Sequence, residues 1–205
     1  MSRLKLRGGG SSVCFNIGFS ANIVCEYLDF AVNNILFQRG LECPEDFSII
    51  KKYDLSLFKM KEGETRDWLK SIFDDVRMLI HEGRLEKFSL VIIRNETKEI
   101  IERWDFVIKD DQKTPGNSNT GNKDLSRINL EIREVMRQIT ASVTFLPLLD
   151  FPCSVEVHVK NVPGTVMPPD WTNVDASIAN AQKVLLKSFS TGYHAVATSV
   201  CFRDQ

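Results

Sequence analysis

Residues 20–40 contain the pattern that most limits how this chain can fold. Apolar side chains recur there at helical spacing, and Phe30 and Val32 extend the apolar surface beyond a single stripe. A helix that is apolar on nearly all sides is stable only where other elements surround it. We therefore predict a helix in the middle of a domain, with Ser20 as its N-terminal cap and Gly40 as its end.

Two further helices and several strands are predicted around this central helix. The apolar residues of 65–82 and of 125–142 each fall on one helical stripe. Strand patterns occupy residues 55–58, 88–93, 100–109, 153–160, 183–190 and 193–202, and a short irregular or one-turn segment follows Pro44. A short turn joins 88–93 to 100–109, which indicates an antiparallel hairpin with one buried face. Three helices with an antiparallel sheet make an α+β fold.

Three stretches lack any periodic pattern. Residues 1–16 include a glycine and serine run and are predicted to be a flexible tail. Residues 110–123 are polar and rich in Asn, Gly and Ser, so we expect an internal disordered segment there. Residues 161–181 contain three prolines and Trp171. Such a long connection is typically functional or mobile.

The composition excludes several classes of protein. The 205 residues include 26 Lys and Arg and 27 Asp and Glu, a net charge of -1, so no overall charge attracts nucleic acid or an anionic membrane. No stretch approaches the ~18 apolar residues of a membrane span, and we expect no secretory signal. The five cysteines are odd in number and form no CxxC pair, which favours reduced thiols in the cytosol or nucleus.

The chemistry-bearing residues give no positive indication of an enzyme. His81, His158 and His194 do not lie at metal-binding spacing, and neither a nucleophile elbow nor a phosphate-binding loop occurs. We therefore expect no catalytic residues, no metal and no cofactor. An enzyme with an unrecognised site is the alternative from a different functional class.

Arg137, Gln138 and Trp171 each have two interpretations. Arg137 and Gln138 follow the buried stripe of the third predicted helix. Arg137 is either a solvated side chain paired with Glu134 or an interface anchor. Trp171 lies in a proline-rich loop, so it either packs on the nearby domain surface or fills a pocket at a binding site.

Several segments together carry a family resemblance. They are residues 20–24, 37–40, 102–104 (Glu-Arg-Trp), 187–191, 194–196 and, above all, 136–149 (Met-Arg-Gln-Ile-Thr-Ala-Ser-Val-Thr-Phe-Leu-Pro-Leu-Leu). Over about residues 17–205 the chain resembles HORMA-domain spindle assembly checkpoint proteins. A HORMA adaptor of translesion DNA synthesis, or another peptide-clamping HORMA protein, is the alternative, and the former is less similar at 102–104 and 137–149.

The resemblance implies a peptide-clamping adaptor with no catalysis. The expected HORMA domain has a core over about 17–160 and a C-terminal belt over about 161–205. The belt covers a sheet edge in an open form, and it crosses a bound partner peptide and pairs elsewhere in a closed form. The alternating strand at 153–160 fits this independently, because an uncovered edge strand is a template for strand addition.

The resemblance also implies site residues and partners. The peptide-binding edge and belt would comprise Cys153, Val155, Val157, Val159, Trp171, Phe189, His194 and Val196. Arg137, Gln138 and Phe145 would serve self-association and a silencing partner. Expected partners are a kinetochore coiled-coil scaffold, the activator of the anaphase-promoting complex, a HORMA-like silencing mimic, an AAA+ remodelling ATPase and a second copy, but neither nucleic acid nor membrane. The expected locations are the nucleus, kinetochores and cytoplasm.

Overall fold

The computed structural model has the predicted α+β architecture. It describes residues 11–111, 123–168, 171–172, 177–178 and 180–203, with backbone only for 11–16. The helices are α1 (Ser11–Gln38), α2 (Glu64–His81) and α3 (Leu125–Ala141), with short 3-10 turns at Pro44–Asp46 and Ser142–Thr144. The strands are β1 (Phe47–Lys52), β2 (Leu55–Met60), β3 (Leu85–Arg94), β4 (Ile100–Asp110), β5 (Cys153–Asn161), β6 (Gln182–Ser190) and β7 (His194–Phe202).

Five of these strands form one antiparallel sheet in the order β5-β3-β4-β7-β6, while β1 and β2 pair separately. The C-terminal hairpin of β6 and β7 therefore extends the sheet beside β4, and β5 lies at the opposite edge. No helix in the described part of the chain is long and apolar enough to cross a membrane.

Helix α1 lies in the centre of the core, as its all-round apolar pattern predicts. Tyr27, Leu28 and Ile35 are completely buried. The helix ends near Gly40, whose φ of +64° suits the left-handed turn after a helix.

The predicted start of α1 is wrong. The helix begins at Ser11, so Ser20 lies inside it and caps nothing. The Ser20 hydroxyl instead bonds to Thr191 and His194 on the C-terminal hairpin, so its position reflects a tertiary contact. Residues 11–16 of the predicted flexible tail are thus helical, and residues 1–10 lie outside the described part of the chain. So do residues 112–122 of the predicted disordered loop.

Strand β1 was not predicted, although the one-turn segment beginning at Pro44 was. Ile49 and Ile50 are adjacent, and both are exposed, so the strand lacks the alternation expected of a half-buried strand. The turn into β2 is formed by Tyr53 and Asp54, with φ values of 53° and 55°. A two-residue turn with both φ values positive normally uses Asn or Gly, so the sequence gives no hairpin signal here.

The hairpin of β3 and β4 is confirmed, but the expectation of one buried face is wrong. Phe88 and Leu90 face the helices, yet Ser89 and Asp105 on the other face are only 2% and 3% exposed. The Asp105 carboxylate accepts hydrogen bonds from the Ser89 hydroxyl at 2.6 Å and from Arg103 Nε and Nη2, each at 2.9 Å. Burial disfavours the Asp105 charge, but these partners prevail and lower its pKa. This pairing makes a buried carboxylate tolerable at a position where alternation predicts an exposed one.

Candidate functional site

Strand β5 presents a free edge. Among the described residues it pairs only with β3, with Val155 opposite Ile92 and Val157 opposite Leu90. Its odd-numbered residues are half-buried, while Ser154, Glu156 and Lys160 are exposed, which confirms the predicted alternation. The outer backbone groups of β5 and its half-buried valines could therefore receive an added strand.

The predicted edge residues Cys153, Val155, Val157 and Val159 share the face of β5 that lies against the helical layer. The three valines pack against the hydrophobic core without being fully covered. On the other face His158 is half-buried and its Nε2 lies 2.8 Å from Glu156. Alternation along β5 predicts that His158 faces outward, and the structure gives it this neighbouring carboxylate as a partner.

The other predicted belt residues lie far from that edge. Phe189 and Val196 are on β6 and β7, separated from β5 by β3 and β4. Phe189 is 2% exposed and its ring lies 4.8 Å from that of Tyr27, while Val196 is completely buried. The structure therefore does not bring Phe189 and Val196 to the predicted edge on β5. These two residues instead attach the C-terminal hairpin to the core.

His194 links the hairpin to α1. Its Nδ1 lies 2.6 Å from Ser20 Oγ, which is also 2.6 Å from Thr191 Oγ1. Burial lowers the pKa of His194, although nearby Asp110 opposes the shift. The docked hairpin therefore favours a neutral imidazole at this position.

The segment between β5 and β6 runs from one sheet edge to the other. It leaves β5 at Asn161, opposite Leu85, and β6 begins at Gln182, opposite Phe202. Midway, the indole Nε1 of half-buried Trp171 donates a hydrogen bond of 3.0 Å to Asp75 on α2. Trp171 therefore packs on the domain surface, as one of its two interpretations predicts, and ties this segment to α2.

Arg137, Gln138 and Phe145 lie on and just after α3. The Arg137 side chain is 58% exposed and contacts Glu134 at 3.3 Å, as its solvated interpretation predicts. The half-buried Gln138 accepts a hydrogen bond from the backbone of Lys187. Phe145 is 43% exposed, with its ring 6.3 Å from that of Phe202. Arg137 and Phe145 are thus available on the surface, whereas Gln138 is engaged with β6.

Comparison with known proteins assigns this fold to a family. The sequence model of the HORMA domain matches residues 20–194. The chain belongs to the HORMA family. Its relatives place it in the mitotic spindle checkpoint branch: the Schizosaccharomyces pombe mitotic spindle checkpoint component mad2 is 35% identical over 191 residues, covering 92% of this chain and 94% of that protein. The human mitotic spindle assembly checkpoint protein MAD2A is 35% identical over 185 residues, covering 90% of each.

Solved structures agree with this assignment. A chain in the crystal structure of the mitotic checkpoint complex matches with a TM-score of 0.84 and 32% identity, covering 91% of this chain and 99% of that one. C. elegans HTP-2 bound to the HIM-3 closure motif matches with a TM-score of 0.72 and 15% identity, covering 91% of each chain. At that identity the second match shows the HORMA fold alone.

Three of the segments that carry the HORMA resemblance meet at one buried joint, which no pattern in the sequence predicted. Arg39 Nη2 lies 2.9 Å from Glu102, and the Arg39 and Glu102 side chains are 4% and 2% exposed. Glu102 also accepts a 2.7 Å hydrogen bond from Trp104 Nε1, and Arg39 Nη2 donates at 2.6 Å to the Pro147 carbonyl. Burial raises the pKa of Glu102 against the opposing effect of Arg39. This joint connects α1 and β4 to the segment that precedes β5.

The cysteines of the HORMA domain lie in different environments. Cys25, Cys43, Cys153 and Cys201 are free thiols, and the Cys14 side chain lies outside the described part. Burial raises the pKa of Cys25 to about 12. In the described residues, no group of three or more His, Cys, Asp or Glu side chains is arranged to hold a metal ion.

Proposed function

We propose that this HORMA protein is a spindle assembly checkpoint adaptor that captures a partner peptide as an added strand on β5. The observation that carries the proposal is the sheet order, which leaves β5 as an edge while the C-terminal hairpin pairs with β4. Backbone hydrogen bonds along β5 would supply affinity, and contacts with Val155, Val157 and Val159 would supply sequence preference.

Within the belt of about 161–205, the segment from 162 to 181 is proposed to cross over that peptide. It must pass from one edge of the five-stranded sheet to the other, across four interstrand spacings of about 4.8 Å. The hydrogen bond from Trp171 to Asp75 attaches it to α2 on the way. A peptide lying between β5 and this attached segment could leave only after Trp171 separates from α2.

The hairpin position supports assignment of this structure to the closed form. In the open form, the hairpin would leave β4 and cover β5 instead. Conversion would break the ladder between β4 and β7 and the contacts of His194 with Ser20. Two stable packings separated by so many simultaneous contacts would exchange slowly, and peptide would favour the closed form through its greater affinity for it.

The proposed partners follow from the checkpoint relatives. One matching structure is a chain of the mitotic checkpoint complex, and the relatives are spindle checkpoint proteins. We infer that the peptides come from the activator of the anaphase-promoting complex, whose inhibition delays anaphase, and from a kinetochore coiled-coil scaffold. Arg137 and Phe145 would contact a second copy or a HORMA-like silencing mimic, and an AAA+ ATPase would reset the closed form. These roles place the protein in the nucleus, at kinetochores and in the cytoplasm, without catalysis.

The test is peptide capture by the full chain. Fluorescent peptides tiled across the activator and the scaffold are titrated, and peptides from a translesion polymerase subunit form a second arm. We expect activator or scaffold peptides to bind and to protect the outer amides of β5 from solvent exchange. Binding of the polymerase peptides alone would instead favour the translesion adaptor, and binding that leaves the β5 amides unchanged would contradict strand addition.

A belt variant sharpens this test. Trp171→Ala removes the ring and its hydrogen bond to a carboxylate, so we expect bound peptide to dissociate about tenfold faster. Trp171→Phe keeps a ring and should have a smaller effect. Trp68→Ala removes a tryptophan of α2 that is 41% exposed and serves as the matched control. Equal dissociation rates for the Trp171 and Trp68 alanine variants would exclude the belt contact.

A further inference from the structure

The pairing of β6 with its inner neighbour β7 is interrupted in register. β6 pairs with β7 from Gln182 to Leu185 and again from Ser188 to Ser190, with a shift between Leu185 and Ser188. Residues at such an irregularity leave the regular ladder, so their backbone groups need other partners. Lys187 lies in this interruption.

Helix α3 supplies acceptors along this strand. Gln138 Oε1 accepts a hydrogen bond from the Lys187 backbone N–H at 2.5 Å. About two helical turns away, Glu131 Oε2 accepts from the Ser190 backbone N–H at 3.2 Å. Between them, Glu134 accepts a hydrogen bond from Lys187 Nζ at 3.2 Å. Residues spaced three and four apart lie on one face of a helix, so a single face of α3 runs along β6.

Helix α1 makes the same kind of contact with the hairpin of β1 and β2: its side chains accept hydrogen bonds from strand backbone. Asn33 Oδ1 accepts from the Met60 backbone N–H at 2.7 Å, and Asn34 Oδ1 accepts from the Phe58 backbone N–H at 3.1 Å. Side-chain amides of a helix thus accept hydrogen bonds from backbone N–H groups of β2 as well. Asn33 and Asn34 are fully buried, whereas Gln138 is only half-buried and can be changed without opening the core.

Arg137 differs from its neighbour Gln138 in what it touches. Its exposed guanidinium pairs with Glu134 of the same helix, whereas Gln138 reaches the hairpin backbone. Substituting either residue would affect self-association by a different route. Loss of Arg137 removes a surface group, whereas loss of Gln138 first weakens the attachment of β6.

We propose that Gln138 and Glu131 are positioning residues that close the β6 edge and hold the C-terminal hairpin in its docked place. A partner strand is thereby directed to β5, the edge at which the described residues place no such acceptor. Gln138 influences self-association through the position of the hairpin, and Arg137 through direct contact. The statements about partner strands and about self-association rest on the proposed function, but the statement about the hairpin does not.

The test is amide hydrogen exchange of the full chain, followed by NMR without peptide. We expect Gln138→Ala to accelerate exchange of the Lys187 amide about three- to tenfold, because the hydrogen bond from that amide to the Gln138 side chain is lost. Glu131→Ala should do the same for the Ser190 amide. Gln138→Glu retains an acceptor oxygen at the same place and should preserve protection of Lys187.

Arg137→Ala is the matched control. It removes an exposed side chain one residue away and, on the interface interpretation, it also disrupts self-association. If faster exchange came merely from losing the dimer, Arg137→Ala would accelerate the Lys187 amide as much as Gln138→Ala. We expect it to leave that amide unchanged while weakening self-association in sedimentation experiments.

Two results would overturn the proposal. The first is a Lys187 amide as protected in Gln138→Ala as in the parent, with the buried amides of α1 confirming that the variant is folded. The second is a loss of protection in Gln138→Glu equal to that in Gln138→Ala, because the acceptor would then be irrelevant. Failure of activator and scaffold peptides to bind the parent would contradict the proposed function and leave these exchange measurements interpretable.

Discussion

The two edges of the five-stranded sheet are built differently. At β5, half-buried valines and outer backbone groups lie without a neighbouring strand in the described residues. At β6, the edge backbone is met by Gln138 and Glu131 of α3. An uncovered edge invites pairing with other chains, so proteins normally block it. In the part of the chain that the structure describes, α3 occupies backbone donors of one edge strand and no strand pairs with the outer side of the other. A further strand would therefore add more readily at β5.

The two regions also differ in how firmly they are held. The hairpin of β6 and β7 contributes buried apolar side chains such as Phe189 and Val200 to the core. β5 contributes valines that pack against the core but stay partly exposed. The part expected to move is therefore the better packed of the two, so its release requires the loss of many contacts together.

The largest expected effect comes from breaking the buried joint that positions the segment before β5. Arg39→Ala would leave the Glu102 carboxylate buried without its cation, and such changes cost about 3–5 kcal/mol. Urea unfolding should reveal this loss at pH 8, and a smaller loss at pH 5, where an unpaired carboxyl is more readily protonated.

A paired replacement is the control for the joint. Arg39→Met with Glu102→Leu removes both charges together and should recover most of the stability. If Arg39→Ala were as stable as the parent at pH 8, the ion pair of Arg39 and Glu102 would not stabilise the fold. Equal instability of the single and paired variants would point to packing rather than charge.

The next prediction compares the same change, Val to Ala, on β7 and on β5. Val200→Ala removes two methyl groups from a completely buried site on β7 and should lower the free energy of unfolding by about 2–3 kcal/mol. Val157→Ala on half-buried β5 should cost about 1 kcal/mol or less. Chemical denaturation midpoints at constant m-value measure both, and equal losses would contradict the difference in packing.

The smallest effect is a pH dependence of the docked hairpin. Because burial lowers the pKa of His194 in the folded state, the unfolded state binds the proton more readily. Stability is therefore full above the unfolded pKa of about 6.5 and is lost as the pH falls through that value toward the lower folded one. At pH 5.5 the loss is at most about 1.4 kcal/mol.

Hydrogen exchange of β7 amides, corrected for intrinsic rates, follows this change between pH 7.5 and 5.5. His194→Gln removes the titrating group and should flatten the dependence. His158→Gln changes a histidine beside Glu156 on β5 and is the matched control. A dependence that survives His194→Gln would contradict the assignment of this pH effect to His194.

Local periodicity was sufficient to predict most elements of this fold. The stripes of α2 and α3, the alternation of β4 and β5 and the β-rich run of β3 are properties of each segment alone. β1 could not be found this way, because adjacent Ile49 and Ile50 are both exposed and its turn lacks Asn or Gly. Ser20 and Asp105 were misjudged because their burial depends on partners distant in sequence.

The candidate site was predictable only in part. The alternating pattern identified β5, but an edge strand and an inner strand can carry the same alternation, so the sheet order required the structure. The pattern also could not reveal that Phe189 and Val196 lie away from that edge. Gln138 could not be assigned to β6, because its partner is a backbone group at an irregularity that leaves no trace in side-chain spacing.

The joint of Arg39 and Glu102 has a consequence for how such sequences drift during evolution. Because each charge is tolerated only in the presence of the other, a substitution at one position creates selection at the other. In an alignment of relatives, the two columns should therefore change together, as an acid with a base or as two apolar residues. Independent variation at these two positions would mean that the neighbourhood of the pair, and not only the pair itself, is rebuilt between lineages.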